Sequence, residues 1–268
     1  MTTVQDTARP VGALVRRWRE RRRISQLELS SQTGVSTRHL SFVETGRARP
    51  SRAMVLRLSE SLDVPLRDRN HLLVAAGFAP AYPQEPLDSA AMAPVRAALR
   101  QVLDGHSPNP AVVVDRTWNL LDANAAIGVL VAGVSPALLE PPANVLRIAL
   151  HPDGMAPYIE NFGEWRAHLL ARLRRQVEHT GDPELAALHT ELLDYPCDQD
   201  DPAVEVPGPG VIAVPLRLRH EGDELTFVST VATFGTPLDI TLAELVIESF
   251  YPADRATAET LARLAAHT

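Results

Sequence analysis

Along the first eighty positions the apolar residues recur every three to four places, the spacing of helices that bury one face. The stretch from Ile24 to Ser51, ISQLELSSQTGVSTRHLSFVETGRARPS, is the most sharply punctuated. Ser25 stands where an N-cap side chain accepts a backbone N–H bond, and Glu28 follows three places later, so a capping box starts a helix near Gln26. Leu27, Leu29 and Val35 supply its apolar side, and Gly34 ends it where a left-handed residue is commonly needed. After a sharp turn Ser36 caps the next helix, Thr37 to about Thr45, with Leu40 and Val43 facing inward. Thr37, Arg38, His39, Ser41 and Phe42 are left to face outward. Ser51 caps a further helix over Arg52 to Leu62, and Pro65 opens a fifth that ends at Gly77.

The pattern then changes. FAPAYPQEPLDS is rich in proline and turn residues and reads as a linker, which divides the chain into 1–80, a linker over 81–89, and 90–268. Ala90 to Leu103 forms an amphipathic helix. AVVVD at 111–115 and WNLLDAN at 118–124 form two short strands, after which Asn124 caps a helix. The middle is helical, over Asn144 to Leu150, Ile159 to Glu178, and Pro183 to Leu193 behind Asp182. Strands over Gly210 to His220 and Glu224 to Phe234 flank a hairpin turn, and a last strand, Leu245 to Phe250, precedes a helix from about Asp254. On this last strand Glu244 and Glu248 are expected on the solvent side.

Two helices joined by a tight turn form a unit whose second helix enters the major groove of duplex DNA with its N-terminal residues. Thr37, Arg38 and His39 are therefore the candidates for base edges, with Ser36 and Ser41 beside them, and Arg38 suits a guanine edge. The segment resembles the Xre/Cro family of helix-turn-helix domains in its S-Q-x-x-L-x-x-x-x-G-V-S core and its E-x-G-x-x-x-P-S close, over about the first 75 residues. The resemblance implies that Gln26 touches a phosphate, that Arg19 pairs with Glu44 in a structural role, and that Arg47 and Arg49 reach phosphates. Arg23 departs from it, since many members carry Gly before the second helix, and this puts the local turn in question.

Charge agrees with that division. Residues 1–80 hold fourteen arginines against seven acidic residues, a balance of +7, whereas the remainder holds twelve against twenty-six, a balance of −14. A cationic head neutralises phosphates irrespective of sequence. The run Arg16, Arg17, Arg19, Arg21, Arg22 and Arg23 is read first as a solvated helix face and second as a phosphate clamp.

Two strands, helices and three antiparallel strands follow one another in the order of a PAS-like domain. The expected fold is therefore an all-α five-helix head followed by an α+β PAS-like domain with an antiparallel sheet. The blocks VVVDRTWNLLDAN, NVLRIALHP, IENFGEWRAHLLARLRRQ and FVSTVATFGTPLDITLAELVIESFYPAD resemble the ligand-binding domain of MmyB-like transcription regulators, over residues 90 to about 260. The resemblance implies a homodimeric regulator whose rear domain can hold a fatty-acid-like molecule. Candidate walls are Val113, Trp118, Leu146, Ile159, Phe162, Trp165, Phe227, Val231 and Phe234, residue types that would equally fill an ordinary core. Candidate partners for a polar head are Arg147, His151 and Asn161. Equally, Arg147 can pair with an acid of its own domain and Asn161 can cap the long helix.

Catalysis finds no motif: there is no G-x-S-x-G, no phosphate loop and no G-x-G-x-x-G, so no enzyme and no required cofactor are expected. The histidines lack ligand spacing, so no metal is expected, and the single Cys197 precludes an internal disulfide. No apolar run approaches a membrane span and the polar start is not a secretory signal, so a cytoplasmic, nucleoid-associated bacterial protein without membrane insertion is expected. The expected protein is a DNA-binding transcription regulator with a duplex operator as partner. Its rear domain is either a sensor of a small hydrophobic ligand or a protein-interaction and dimerisation module without one.

Overall fold

The computed structural model describes residues 10–199 and 214–266. They divide into two compact units, one built mainly on residues up to Glu85 and a larger one built mainly on residues from Pro86 onward.

The first unit holds five helices: α1 (Val11–Arg21), α2 (Gln26–Thr33), α3 (Thr37–Glu44), α4 (Arg52–Ser61) and α5 (Leu66–Ala75). Three of them start where serines cap them. The hydroxyl oxygens of Ser25, Ser36 and Ser51 accept from the backbone N–H of Glu28, His39 and Met54. Gly34 ends α2 at φ 67° and Arg23 sits between α1 and α2 at φ 55°, so the position in question is left-handed and an arginine occupies it. Leu14, Trp18, Leu29, Leu40, Val43 and Leu58 form the core. Leu27 does not join them; it is 72% exposed, because Leu29 and Thr33 already define the buried side of the two-turn helix.

A buried carboxylate ties three of these helices. Glu44 accepts from Arg19 Nε at 2.7 Å, Arg19 Nη2 at 2.9 Å and Gln26 Nε2 at 2.7 Å, while Arg19 Nη1 donates to the Ile24 carbonyl at 2.9 Å. The bidentate Arg19–Glu44 pair has the structural role the resemblance implies. Gly12 packs α1 directly against the end of α3, since a Cβ there would collide with the Val43 carbonyl oxygen.

The second unit runs, in chain order, through α6 (Ala93–Gly105), β1 (Ala111–Val114), β2 (Leu120–Ala123), α7 (Gly128–Val131), α8 (Pro136–Leu139), α9 (Val145–Leu150), α10 (Phe162–Thr180), α11 (Pro183–Leu193), β3 (Leu216–His220), β4 (Asp223–Thr233), β5 (Val246–Pro252) and α12 (Arg255–Ala265). A further single turn, Ile240–Ala243, precedes β5. All pairings in the five-stranded sheet are antiparallel, in the order β2-β1-β5-β4-β3, so the two ends of the domain's sequence meet at the β1–β5 pair. One face carries Val112, Val114, Leu225, Phe227 and Phe250 into a core completed by α9, α10 and α11. Alternation puts Val113 and Ile247, which pair across β1 and β5, on the opposite face.

Several details correct the expectations. The strand expected over Gly210 to His220 is observed only over Leu216–His220, and residues 210–213 lie outside the described ones. Asn124 stands at an N-cap position without a side-chain cap bond. Its amide donates to the carbonyls of Leu103 and Asn109 and its Oδ1 accepts from Ala111 N, fastening the end of α6 to β1. Glu248 is buried rather than solvent-facing, because it shares a strand face with Val246 and Phe250.

Replacing Gly12 by Ala forces α1 from α3 and is expected to destabilise the head by about 3 kcal/mol. Hydrogen exchange at the α3 amides checks this, and unchanged protection would mean that the two backbones have room to separate.

Candidate functional site

The turn between α2 and α3 presents the expected DNA-facing residues unequally. Arg38 and His39 are exposed on the first turn of α3, the guanidinium of Arg38 lying 5.4 Å from the Phe42 ring centroid. Arg47 and Arg49 are exposed in the loop opened by Gly46 at φ 76°, a loop held by Arg47 N and Ala48 N donating to the Phe42 carbonyl. Ser36 spends its oxygen as a cap, and the half-buried Thr37 hydroxyl donates to Ser30 Oγ at 3.2 Å. Ser41 is half-buried. Gln26 Nε2 donates to Glu44, so one donor of its amide is committed to the fold. The arginine run is divided in the same way. Arg16 pairs with Glu20, Arg19 with Glu44, and Arg22 donates to the carbonyls of Leu62 and Asp63.

In the second unit Trp118, Leu146, Ile159, Phe162, Trp165 and Phe227 all enter the core. Three expected wall residues do not. Val113 is buried on the far face of the sheet, Val231 is 47% exposed, and Phe234 lies beyond the end of β4, half-buried outside the cluster.

The three expected head-group residues are engaged elsewhere. Arg147 grips Glu191 through Nε at 2.7 Å and Nη2 at 2.8 Å, and the Tyr195 hydroxyl donates to the same carboxylate at 2.7 Å. Hydrogen bonding to Arg147 holds Glu191 below the ordinary carboxylate range, and burial followed by the Glu191 carboxylate pushes Tyr195 up to about 12. His151 packs edge-on against Tyr195, and its Nδ1 accepts from Asp153 N at 3.0 Å. Asn161 does not cap α10 with its side chain. It donates to the Pro215 carbonyl and Glu164 and accepts from Arg217 N, joining the start of α10 to β3.

A polar group that the sequence reading missed lies on the sheet-facing side of α10. Trp165, His168, Arg172 and Gln176 succeed one another at helical spacing. Arg172 Nη1 donates to Glu248 Oε1 at 2.9 Å, and its guanidinium carbon lies 4.3 Å from the Trp118 ring centroid. Trp118 Nε1 donates to Gln176 Oε1 at 2.8 Å, and Gln176 Nε2 to the Arg116 carbonyl at 2.9 Å. Trp118 takes φ 69°, a conformation that costs a bulky residue of order 1–3 kcal/mol. Asp115 holds it there, accepting from the backbone N–H groups of Thr117 and Asn119 and from both their side chains. His168 stacks on Trp165, and burial, then Arg172, lowers its pKa. The period-two alternation of Val246, Glu248 and Phe250 was the available signal for the buried acid.

Residues 95–264 match the family model of the MmyB-like transcription regulator ligand binding domain, the greater part of the chain. The chain belongs to this family. Residues 10–72 match a helix-turn-helix domain model. Uncharacterized HTH-type transcriptional regulators of Mycobacterium tuberculosis and Mycobacterium bovis are 40% identical over 65 residues, 24% of this chain and 25% of each relative. The match thus spans about a quarter of those relatives' length. Among the described residues no helix is long and apolar enough to cross a membrane, and no three His, Cys, Asp or Glu side chains form a metal-binding group.

Spectrophotometric titration should resolve one tyrosinate forming at about pH 12, absent from Tyr195→Phe. Because the folded state holds this proton more tightly than a free phenol, its contribution to stability is intact below about pH 10 and is lost as the pH rises towards 12. A Tyr195 that ionised with free tyrosine would break the assigned Arg147–Glu191–Tyr195 arrangement.

Proposed function

We propose that this protein is a bacterial, sequence-specific transcription regulator that reads duplex operator DNA with α3 and holds a fatty-acid-like ligand in its rear domain. The observation that carries the first half is the set of exposed cations, Arg38 on the first turn of α3 and Arg47 and Arg49 in the following loop, around a correctly capped helix-turn-helix. Arg38 with His39 addresses base edges, with Ser36, Thr37 and Ser41 next to them, while Arg47 and Arg49 address phosphates. Gln26 contributes by orienting Glu44 and, through its remaining donor, a phosphate. The Xre-type likeness and a homodimer belong to this reading, which would set two α3 helices about one DNA turn, roughly 34 Å, apart on a pseudo-palindromic site. The functional division is a head over 1–80, a linker over 81–89 and a sensor over 90–268 in a cytoplasmic protein.

The second half is supported by the family match and by an interior that is apolar around Leu146, Ile159, Phe162 and Phe227, each buried methylene of a ligand being worth about 0.8 kcal/mol there. Such a ligand regulates only through different affinities for DNA-competent and DNA-incompetent arrangements.

Two measurements test the reading. On a selected operator, Arg38→Ala should weaken binding by about 1–3 kcal/mol and relax preference at one base pair, whereas Arg47→Ala should weaken operator and random DNA alike. Equal losses on both DNAs for both variants would remove the base-reading assignment. Mass spectrometry of small molecules released from natively purified protein should detect a stoichiometric lipid-like compound. A blank that persists after incubation with fatty acids would favour a rear domain that is a protein-interaction module.

A further inference from the structure

We propose that Arg172 is the residue that selects a carboxylate head group in the rear domain, an inference that rests on the ligand-binding reading above and extends it. Two of the three groups expected to do this from sequence are already engaged. Arg147 has its bidentate edge closed by Glu191, and both ends of the Asn161 amide are bonded within the fold. Arg172 is different in three respects.

First, it stands on the core side of the sheet. Glu248, its partner, is directly opposite Val112 on β1 and Val231 on β4, so all three side chains share one face, and Val112 belongs to the core. Second, its donors are incompletely used. The pair with Glu248 is a single hydrogen bond through Nη1, and the flat side of the guanidinium rests against Trp118. The Nε and Nη2 edge, the one that suits a carboxylate, has no hydrogen-bond partner among the described residues. Third, the inner face opens beside it. Val231 and Thr233 lie on the core side of β4 by alternation from Phe227, yet both are exposed.

A buried ion pair is rarely an advantage over apolar packing of equal volume. Here it holds a cation in place at the border between an apolar interior and that opening, with Trp118 fixed beneath it in a strained conformation and Gln176 locking the indole. The arrangement fits an amphiphile whose chain lies among Phe162, Trp165 and Phe227 and whose carboxylate takes the Nε and Nη2 donors, Glu248 keeping Nη1. An alcohol or ester of the same chain would fill the same interior and forgo the charged bidentate bond.

The test compares binding of dodecanoate and dodecanol to the full chain by calorimetry. The wild type should prefer the acid by about tenfold or more, the order expected for hydrogen bonds to a charged group. Arg172→Gln should bring the ratio close to one, whereas Arg147→Gln should keep it. Because Arg172→Gln strands the Glu248 carboxylate, the double variant R172Q/E248Q, which substitutes a neutral amide pair, is measured beside it and should also lose the preference. A ratio retained in both Arg172 variants, or a wild type that binds acid and alcohol equally, overturns the inference while leaving an apolar-ligand sensor standing. A wild type that binds neither probe overturns the inference and the ligand-binding reading together.

Discussion

A carboxylate removed from water has to be met by fixed donors, and each unit of this protein is organised around one. In the head it is Glu44, whose two oxygens collect three hydrogen bonds from α1 and α2 and thereby fix the position of α3. In the rear domain it is Glu248, on the central strand β5, met by Arg172 from α10. Removing one member of such a pair costs about 3–5 kcal/mol because the other charge is left stranded, so these contacts specify an arrangement even where they add little net stability.

The parts of the fold that were legible in the sequence are those decided within a few residues. Ser25, Ser36 and Ser51 all cap the helices they precede, since a cap bond spans two or three positions and owes nothing to tertiary context, and Asp182 and Asp254 turn out to cap the two helices whose starts the sequence located beside them. The hairpin of β3 and β4 has the same local origin. What escaped was decided at long range. Glu248 looked solvent-facing because its partner is 76 positions away, and Asn124 looked like a cap because the carbonyls it satisfies belong to Leu103 and Asn109. Leu27 illustrates the reverse case, an apolar residue in a short helix whose buried side was already taken.

The same limit applies to the candidate site. The exposure of Arg38 and His39 on α3 follows from helix phase, which the Ser36 cap sets, whereas Arg47 and Arg49 are exposed in the loop after Gly46. Arg147 and Asn161 could be identified as polar residues in the right blocks, but a side chain's availability depends on what else reaches it. Glu191 and Tyr195 enclose one, and the β3 backbone claims the other. Polar residues in a largely apolar interior are informative once the donors already used are subtracted from those they carry.

The close approach at Gly12 has an evolutionary consequence. Because α1 meets α3 backbone to backbone at Gly12, and the Arg19–Glu44 pair joins the same two helices on the buried side, the placement of α3 owes nothing to the side chains on its outer face. Arg38 and His39, on the outer side of that helix, can therefore be exchanged without displacing it. Over evolutionary time the chemistry of that outer surface can thus vary while the scaffold beneath it stays unaltered.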